Sequence, residues 1–274
     1  MQKKIRPDST ERFAVTPPFR LDSIDPGDTS FRGIDKAVAQ ASLAELSQRL
    51  DQWQNVLYAD QRYKILLVLQ GMDTSGKDGT IRQVFKSVDP LGVRVAAFKA
   101  PTAEEKARDF LWRVHAQVPK AGEIVIFNRS HYEDVLVPVV MGQIDALEQE
   151  RRFAQIRDFE RLLHLSGTVL IKCFLHLSKE EQKRRLQERL DRPEKQWKFD
   201  PADLHAREQW NGYQQAYEAL LNATSTEYAP WWVVPADSKT NRNLMISRLL
   251  IEQVERLELR FPEPQFDPSK IILD

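Results

Sequence analysis

Short, mainly apolar runs alternate along this chain with longer segments whose apolar residues recur at three-and-four spacing. The runs lie at 64–70, 93–98, 123–127, 168–177 and 231–234. The first run is apolar almost throughout, which is typical of a parallel strand buried on both faces. Strands that alternate with amphipathic helices predict an α/β fold, in which helices cover both faces of a parallel sheet.

The segments between these runs predict the helices. We expect helices over about 36–58, 80–85, 102–118, 178–191, 200–221 and 239–258, with a further long helical stretch that ends near residue 165. Thr102 with Glu105, and Ser178 with Glu181, have the spacing of capping boxes at helix N-termini. Pro193 disfavours helix at the residue before it, so the helix from 178 should end near residue 191.

Composition narrows the classes of protein. A chain of 274 residues with 42% hydrophobic content can fill a sizeable core. No apolar run reaches membrane-spanning length and residues 1–7 lack the apolar stretch of a signal peptide, so we expect no membrane association and a cytoplasmic location. Forty basic residues balance forty acidic ones, which argues against a nucleic-acid partner and makes any anion site local.

The single cysteine and the histidines suggest no metal chemistry of their own. Cys173 lies in an apolar run and is expected to be a small core residue. The five histidines show no metal-ligand spacing, so we expect no zinc site.

Residues 71–77 fit the phosphate-binding pattern G-x-x-x-x-G-K, after an apolar strand and before a helix, as this motif requires. Its glycines let backbone N–H groups converge on phosphate oxygens, and Lys77 adds a positive charge. Asp78 stands where Ser or Thr normally binds magnesium. The loop is therefore predicted to bind phosphate, although not an ordinary magnesium–ATP complex. The structural alternative is a glycine-rich turn of another doubly wound protein, in which Lys77 only caps a surface.

The end of the third strand carries the second candidate group, in residues 128–134. In P-loop proteins a neighbouring strand ends in a carboxylate that holds magnesium. Asn128 occupies that place here, and an amide binds magnesium less well than a carboxylate. Asp73, inside the loop, is our first choice to restore negative charge around a metal, together with Glu133 and Asp134.

The segment from Lys179 to Lys198 is the best local anion site outside the loop. Within it, Arg185, Arg189 and Arg192 share one helix face, while Leu186 and Leu190 form a separate apolar stripe. The arginines are therefore predicted to line a groove while the leucines dock the helix on the body.

These charged residues also have structural alternatives. Asp134 could do no more than pair with Arg129, and His131 could simply pack in the interior. The basic helix could be a solvated one, laced by pairs such as Arg184 with Glu188.

Together, the motifs resemble the polyphosphate kinase 2 family. They are GMDTSGKDG at 71–79, FKAPT at 98–102, NRSHYED at 128–134, RLQER at 185–189, WKF at 197–199, YAPW at 228–231 and PAD at 235–237. The resemblance covers about residues 40–260 and is closest to the class III subgroup, in which Asn and Glu stand at positions 128 and 133. It implies reversible phosphoryl transfer from inorganic polyphosphate to nucleoside mono- and diphosphates, AMP and ADP first and GMP and GDP in addition.

The resemblance also implies an architecture. The core should be a P-loop NTPase-like, thymidylate-kinase-like three-layer sandwich with a helical lid at about 179–199. We expect residues 1–35 to form an extended lead-in and residues 36–274 to form a single kinase domain. The lead-in and the helix at 36–58 are candidates for an interface, and a homo-oligomer, dimer or tetramer, is expected.

Residue roles carry over by position in the motifs. The expected catalytic residues are Asp73, Lys77, Arg129 and Glu133. The expected polyphosphate-binding set is Gly71, Thr74, Ser75, Gly76, Lys77, Asp78, Gly79, Arg129, Arg185 and Arg189. The expected nucleotide-binding set is Phe98, which packs against the base, with Lys99, Pro101, Asn128 and Glu133. Mg²⁺, with Mn²⁺ as the other candidate ion, is expected on Asp73 and Glu133.

Two other classes of protein stay open. An ATP-dependent nucleoside monophosphate kinase would normally keep Ser or Thr at position 78 and an acid at position 128. A non-catalytic polyanion-binding module would not need Asp73, Glu133 and the lid arginines together. For a polyphosphate-dependent kinase, we expect direct in-line transfer with no phosphoenzyme. The acceptor phosphate is already largely ionised, so Asp73 is expected to bind metal or orient groups and not to act as a base.

Overall fold

A five-stranded parallel sheet forms the centre of the molecule. The computed structural model describes residues 9–33 and 35–273. Its strands are β1 (Lys64–Gln70), β2 (Val93–Ala97), β3 (Ile124–Asn128), β4 (Thr168–His176) and β5 (Trp231–Pro235). Their order is β2-β3-β1-β4-β5, and all neighbours are parallel. Leu69 lies beside Asn128 on one side and Cys173 on the other, so the strand ends that carry the candidate motifs meet at one edge.

Eleven α-helices surround this sheet in the described residues. They are α1 (Lys36–Asp60), α2 (Lys77–Val84), α3 (Ala103–Lys106), α4 (Trp112–His115), α5 (Glu133–Val140), α6 (Ala146–Leu165), α7 (Lys179–Asp191), α8 (Pro193–Gln196), α9 (Ala202–Glu208), α10 (Trp210–Thr224) and α11 (Lys239–Glu255). Helices α5, α6 and α10 cover one face, where Leu66 and Val68 are buried, and α1, α2 and α11 cover the other, where Ile65 and Leu67 are buried. The predicted α/β fold with helices on both faces is confirmed.

Three predicted helices are interrupted. The helix expected over 102–118 is the separate α3 and α4, because the Asp109 carboxylate accepts a hydrogen bond from the Leu111 N–H and forms a turn between them. The long stretch to residue 165 divides into α5 and α6, since Gly142 is left-handed with a φ of 64° and Asp145 caps α6. The helix expected over 200–221 breaks at Gln209, between α9 and α10.

The predicted capping signals have different outcomes. Thr102 and Glu105 form a reciprocal capping box. Ser178 accepts a hydrogen bond from the Glu181 N–H, but the Glu181 carboxylate bonds to arginines of its own helix instead of closing the box. Helix α7 ends at residue 191, as the proline two residues later predicts.

The described part of the predicted lead-in packs against the body. The Val15 N–H donates to the carbonyl of Trp231 in β5 at 2.8 Å. Phe13 and Phe31 are buried in the core, and Asn241 in α11 accepts a hydrogen bond from the Phe31 N–H. Residues 1–8 and 34 lie outside the described residues, and the division at residue 35 stays a prediction.

Two further sequence expectations concern apolar segments. Cys173 is buried in β4, and burial raises the pKa of its thiol. Across the described residues, none of the helices combines the length and apolar character needed to cross a membrane.

Candidate active site

The glycine loop connects the end of β1 to the start of α2, and its path depends on two glycines. Gly71 has a φ of 150° and Gly76 a φ of 101°, backbone angles that residues with a side chain rarely adopt. A Cβ at Gly71 would lie 2.8 Å from the Leu175 carbonyl oxygen, and one at Gly76 would lie 2.0 Å from Nη1 of Arg242. The loop therefore leaves no space for a side chain at either position.

Two non-glycine residues of the site also have left-handed backbones. Thr74 in the loop has a φ of 67°, and Arg129 after β3 has a φ of 62°. Each such residue costs about 1–2 kcal/mol relative to a right-handed one. Strain of this kind persists where the surrounding structure enforces it, and it concentrates at functional sites.

Lys77 folds back over the loop. Its Nζ donates to the Gly71 carbonyl at 2.7 Å, and its side chain is buried. Burial lowers the pKa of Lys77, while the negative charge of Asp73 opposes that shift. The lysine is thus a buried cation that rests on neutral carbonyl oxygens beside the loop.

Asp73 and Arg129 form an ion pair across the mouth of the loop. Nη2 of Arg129 lies 2.5 Å from Oδ1 of Asp73. Burial favours the neutral carboxyl, but the charges of Lys77 and Arg129 outweigh it and lower the pKa of Asp73. Burial also acts against the charge of Arg129, but Asp73 and Glu133 outweigh it and raise its pKa. Both groups are charged at neutral pH.

The two positions that depart from the ordinary pattern bind each other. Nδ2 of Asn128 donates to Oδ1 of Asp78 at 2.7 Å. An ordinary P-loop has a hydroxyl in the loop and a carboxylate at the end of the neighbouring strand. Here the loop carries the carboxylate of Asp78, and the strand carries the amide of Asn128. The exchange is therefore reciprocal, and Asn128 serves as a donor that orients Asp78.

Glu133 and Asp134 begin α5 but point to different partners. Oε1 of Glu133 accepts from Nε2 of Gln70 at 3.0 Å. Asp134 pairs with Arg113 at 2.9 Å, so the suggested pairing of Asp134 with Arg129 is wrong. His131 is buried and contacts the rings of Tyr132 and Phe159.

A cavity of about 600 Å³ lies between the loop and the segment that contains α7 and α8. From the expected site it brings together Asp73, Thr74, Gly76, Lys77, Asp78, Gly79, Phe98, Lys99, Asn128, Arg129, Arg185 and Arg189. Gly71, Ser75, Pro101 and Glu133, although expected in the site, are not among the residues of its wall.

One wall of the cavity is formed by residues at and just after the end of β2. Phe98 is 9% exposed and packs edge-on against Phe127, with ring centroids 4.9 Å apart. Lys99 follows it on the cavity wall, and its carbonyl accepts from Arg113 at 2.8 Å. The Phe98 ring is thus held from behind, with little freedom to rotate.

The arginines of α7 have separate partners. Arg185 is buried, and its guanidinium donates to the carbonyls of Thr74 at 2.9 Å and Ala236 at 2.7 Å. Arg189 donates to Asp203 in α9 at 2.9 Å. The predicted arginine face therefore contacts the loop and α9.

The outer side of α7 matches the structural alternative in part. Arg192 is exposed and lies 3.5 Å from Glu188, and Arg184 lies 3.8 Å from the same carboxylate. Leu186 is buried but Leu190 is 43% exposed, so the predicted apolar stripe is wrong at its second leucine.

Sequence reasoning missed several residues of the cavity wall. They are Glu188, Lys195, Trp197, Lys198, Asp200, Asp203, Lys239 and Arg242. Trp197 and Lys198 belong to the WKF motif at 197–199, for which the sequence predicted no role. Lys239 and Arg242 lie in α11, more than 160 residues after the loop in sequence, so only the fold brings them to it.

A phosphate-binding loop at the carboxyl edge of a parallel sheet, facing a basic helical segment, defines a P-loop phosphotransferase. The sequence profile of the family described as Polyphosphate kinase 2 matches residues 33–262. This chain belongs to the polyphosphate kinase 2 family. The family expected from the sequence motifs, and a phosphotransferase as the class of enzyme, are confirmed.

Curated relatives and solved structures agree with this placement. An AMP/ADP-polyphosphate phosphotransferase of Meiothermus ruber is 51% identical, over 96% of this chain and 100% of its own length. An ADP-polyphosphate phosphotransferase of Rhodopseudomonas palustris is 44% identical over 79% of each chain. The crystal structure of Polyphosphate Kinase 2 from Arthrobacter aurescens TC1 is similar with a TM-score of 0.93 and 43% identity, over 98% of this chain and 96% of that one.

Proposed function

We propose that this protein transfers a phosphoryl group reversibly between inorganic polyphosphate and the nucleotides AMP and ADP. The similarity to relatives named for this activity, one of them 51% identical, supports these substrates. At the site, the observation that carries the proposal is the reciprocal Asp78–Asn128 exchange beside the Asp73–Arg129 pair. It supplies a carboxylate inside the loop and removes the usual hydroxyl that an ATP-binding loop offers to magnesium.

The donor chain is assigned to the loop. Its backbone N–H groups and Lys77 provide positive potential for phosphate oxygens, and Arg129 stands at its mouth. Arg189 is the lid arginine that can turn to the phosphates, because among the described residues its hydrogen bonds go to Asp203 and one backbone carbonyl. Arg185 acts through the loop backbone, to which it is already bonded.

The acceptor nucleotide is assigned to the opposite wall of the cavity. The rigid Phe98 ring offers an apolar surface for a base, and Lys99 offers a charge for its phosphate. A ring surface of this kind accepts any purine, so we propose GMP and GDP as further acceptors. Asn128 is next to both sides, since it pairs with Ala97 at the end of β2 and its amide donates to Asp78 of the loop.

The donor set of the site fits Mg²⁺. Asp73 would hold the ion through the carboxylate oxygen that Arg129 leaves free, and Glu133 would act beside it. Within the described residues there is no group of three or more metal-binding side chains, which suits an ion that takes most of its ligands from phosphate and water. Mn²⁺ fits the same donors. When bound, the ion would neutralise charge on the transferring phosphate.

The residues themselves supply positioning and charge. Lys77 and Arg129 offset the repulsion between two anions, and a closed lid would keep water from taking the phosphoryl group. Because the acceptor phosphate is already ionised, Asp73 has no proton to remove. We infer direct in-line transfer, for which a chiral donor should give inversion at phosphorus. Net retention would contradict it.

The test is an assay of the purified protein with Mg²⁺, ADP and polyphosphate, followed by detection of ATP. We expect ATP only when polyphosphate is present, and ADP and ATP when AMP replaces ADP. Asp73→Asn should abolish turnover with the fold retained, whereas Asp158→Asn, an exposed change of equal charge, should not. The proposal would be contradicted if AMP were phosphorylated by ATP and not by polyphosphate, or if polyphosphate bound without turnover.

Location and assembly complete the proposal. We propose a cytoplasmic location, where nucleotides are available, and a homo-oligomeric state, dimer or tetramer. Light scattering on the protein as it elutes from a size-exclusion column measures the number of subunits directly. A monomer at assay concentration would contradict it.

A further inference from the structure

Arg242 reaches the phosphate loop from α11. Its side chain is 2% exposed, and Nη1 donates to the Ser75 carbonyl at 2.9 Å. Nε and Nη2 both donate to Oδ1 of Asn243, at 3.2 and 3.0 Å. That oxygen also accepts from Thr80 in α2 at 3.3 Å. The guanidinium therefore connects the loop to the first turns of the helix that follows it.

The charge of Arg242 has no acidic partner in the described part of the chain. Among residues 9–33 and 35–273, no carboxylate lies within ion-pair distance of it, and its acceptors are a carbonyl and an amide oxygen. Arg185 is close enough to repel it and donates to the same Ser75 carbonyl at 3.2 Å. Burial, with that repulsion, lowers the pKa of Arg242 to about 9, so it stays charged at neutral pH. A buried unpaired cation is costly.

The loop is shaped to accept this side chain. The Cβ that any other residue would place at Gly76 would lie 2.0 Å from Nη1 and 2.8 Å from Cζ of Arg242. Arg242 also forms part of the cavity wall, together with Lys77 and Gly76. Gly76 is thus needed for its φ and for the space that the guanidinium occupies.

We propose that Arg242 is a positioning residue for the phosphate donor: it holds the Ser75 carbonyl away from the cavity, so that the loop N–H groups face it, and its unpaired charge is balanced by the bound phosphate chain. The inference rests on the proposed function, because it assumes that the donor binds in the loop. A purely structural clamp between α11 and the loop is the competing explanation, and the two differ in what happens without ligand.

Asn243→Asp separates the two explanations. The substitution keeps the oxygen that Arg242 already binds and adds the missing negative charge. If the donor balances the charge of Arg242, the variant should melt at a higher temperature without ligand. Its melting shift with inorganic tripolyphosphate should become smaller, and its KM for polyphosphate should rise about tenfold with KM for ADP unchanged. Asn55→Asp, an exposed change in α1, is the control of equal net charge.

Arg242→Met and Arg242→Lys give a second, independent measurement. The methionine variant should melt no lower than the wild type without ligand but lose most of the tripolyphosphate shift, and the lysine variant should recover part of it. If Arg242→Met does not fold, Asn243→Asp decides. The inference would be overturned if Asn243→Asp and Arg242→Met both melted at a lower temperature than the wild type and both kept the wild-type melting shift with tripolyphosphate. A wild type that does not respond to tripolyphosphate would overturn the proposed donor site as well.

Discussion

Two lysines are buried in the described part of the chain, and their surroundings differ. Lys172, in β4, lies 2.6 Å from the Glu160 carboxylate and donates to the Tyr132 hydroxyl and the Thr224 carbonyl. Lys77, in the loop, donates only to backbone carbonyls and has no carboxylate within ion-pair distance among the described residues. Lys172 has its counter-ion within the fold, whereas the charge of Lys77 is one that we propose a bound phosphate offsets.

The difference matches a structural role for Lys172 and the proposed phosphate-binding role for Lys77. Burial lowers the pKa of both lysines, and in each case a carboxylate opposes the shift, Glu160 for Lys172 and Asp73 for Lys77. Glu160 is in direct contact with its lysine, but Asp73 is bound to Arg129. Matched substitutions at the two lysines should therefore have opposite consequences.

Lys172→Met is expected to cause the largest loss in the free energy of unfolding. It leaves Glu160 buried without its cation, which costs about 3–5 kcal/mol in proteins. Urea unfolding at pH 7 should show this loss of stability, and activity per folded molecule should be close to that of the wild type.

A double variant sharpens this prediction. Lys172→Met with Glu160→Leu removes both charges, and apolar replacement of a whole buried pair is often close to neutral. We expect the double variant to recover much of the stability. A double variant less stable than Lys172→Met would show that the remaining hydrogen bonds, and not the ion pair, stabilise this region.

Lys77→Met should instead lower activity strongly and leave the fold intact. Loss of one preorganised group that stabilises the transferring charge reduces the rate about 10²–10³-fold. The free energy of unfolding should not fall, because a buried charge without a contacting acid is removed. ATP formation and urea unfolding, measured on the same preparation, check both parts. A variant that unfolds but stays active when folded would contradict the comparison.

The sequence predicted the parts of this site that are local in the chain. The loop lies within a few residues of its strand, so glycines, lysine and the apolar run indicate it together. Arg129 and Asn128 follow another apolar run, and parallel strands bring their ends to one edge. The exchange at Asp78 and Asn128 was visible as two departures, but their hydrogen bond depends on register and needed the structure.

Other features had no local signal. Arg242 and Lys239 belong to a helix predicted only as a cover of the sheet, and nothing in their spacing relates them to the loop. Arg185 and Arg189 were recognised as one helix face, yet their different partners depend on what packs against each. The Lys172–Glu160 pair joins a strand and a helix, and a lysine within an apolar run does not reveal its partner.

Asp203 should add a pH dependence to stability. Burial, with the nearby charge of Asp73, raises its pKa to about 6 from the ordinary 3.8. Between these values the folded protein holds the proton that the unfolded chain has lost, so this contribution to stability falls as the pH rises from about 4 to 6. Relative to Asp203→Asn, which cannot titrate, the wild type should lose about 1–3 kcal/mol over that range. Urea unfolding of both proteins at pH 4 and 6.5 measures it, and a constant difference would contradict the assignment.

The exchange at the loop predicts a smaller, coupled effect. Asn128→Asp places a second carboxylate at hydrogen-bond distance from Asp78, and the repulsion should lower activity about 3–10-fold, or about 1 kcal/mol. Asp78→Ser alone removes the acceptor of the Asn128 amide and should cost a similar amount. The double variant restores the ordinary hydroxyl and carboxylate arrangement and should be more active than the sum of the single effects predicts. Kinetic constants for all four proteins give the coupling energy. Additive effects would show that the two departures are independent, and the loop would then owe its donor preference to Asp73 and Arg129 without help from this pair.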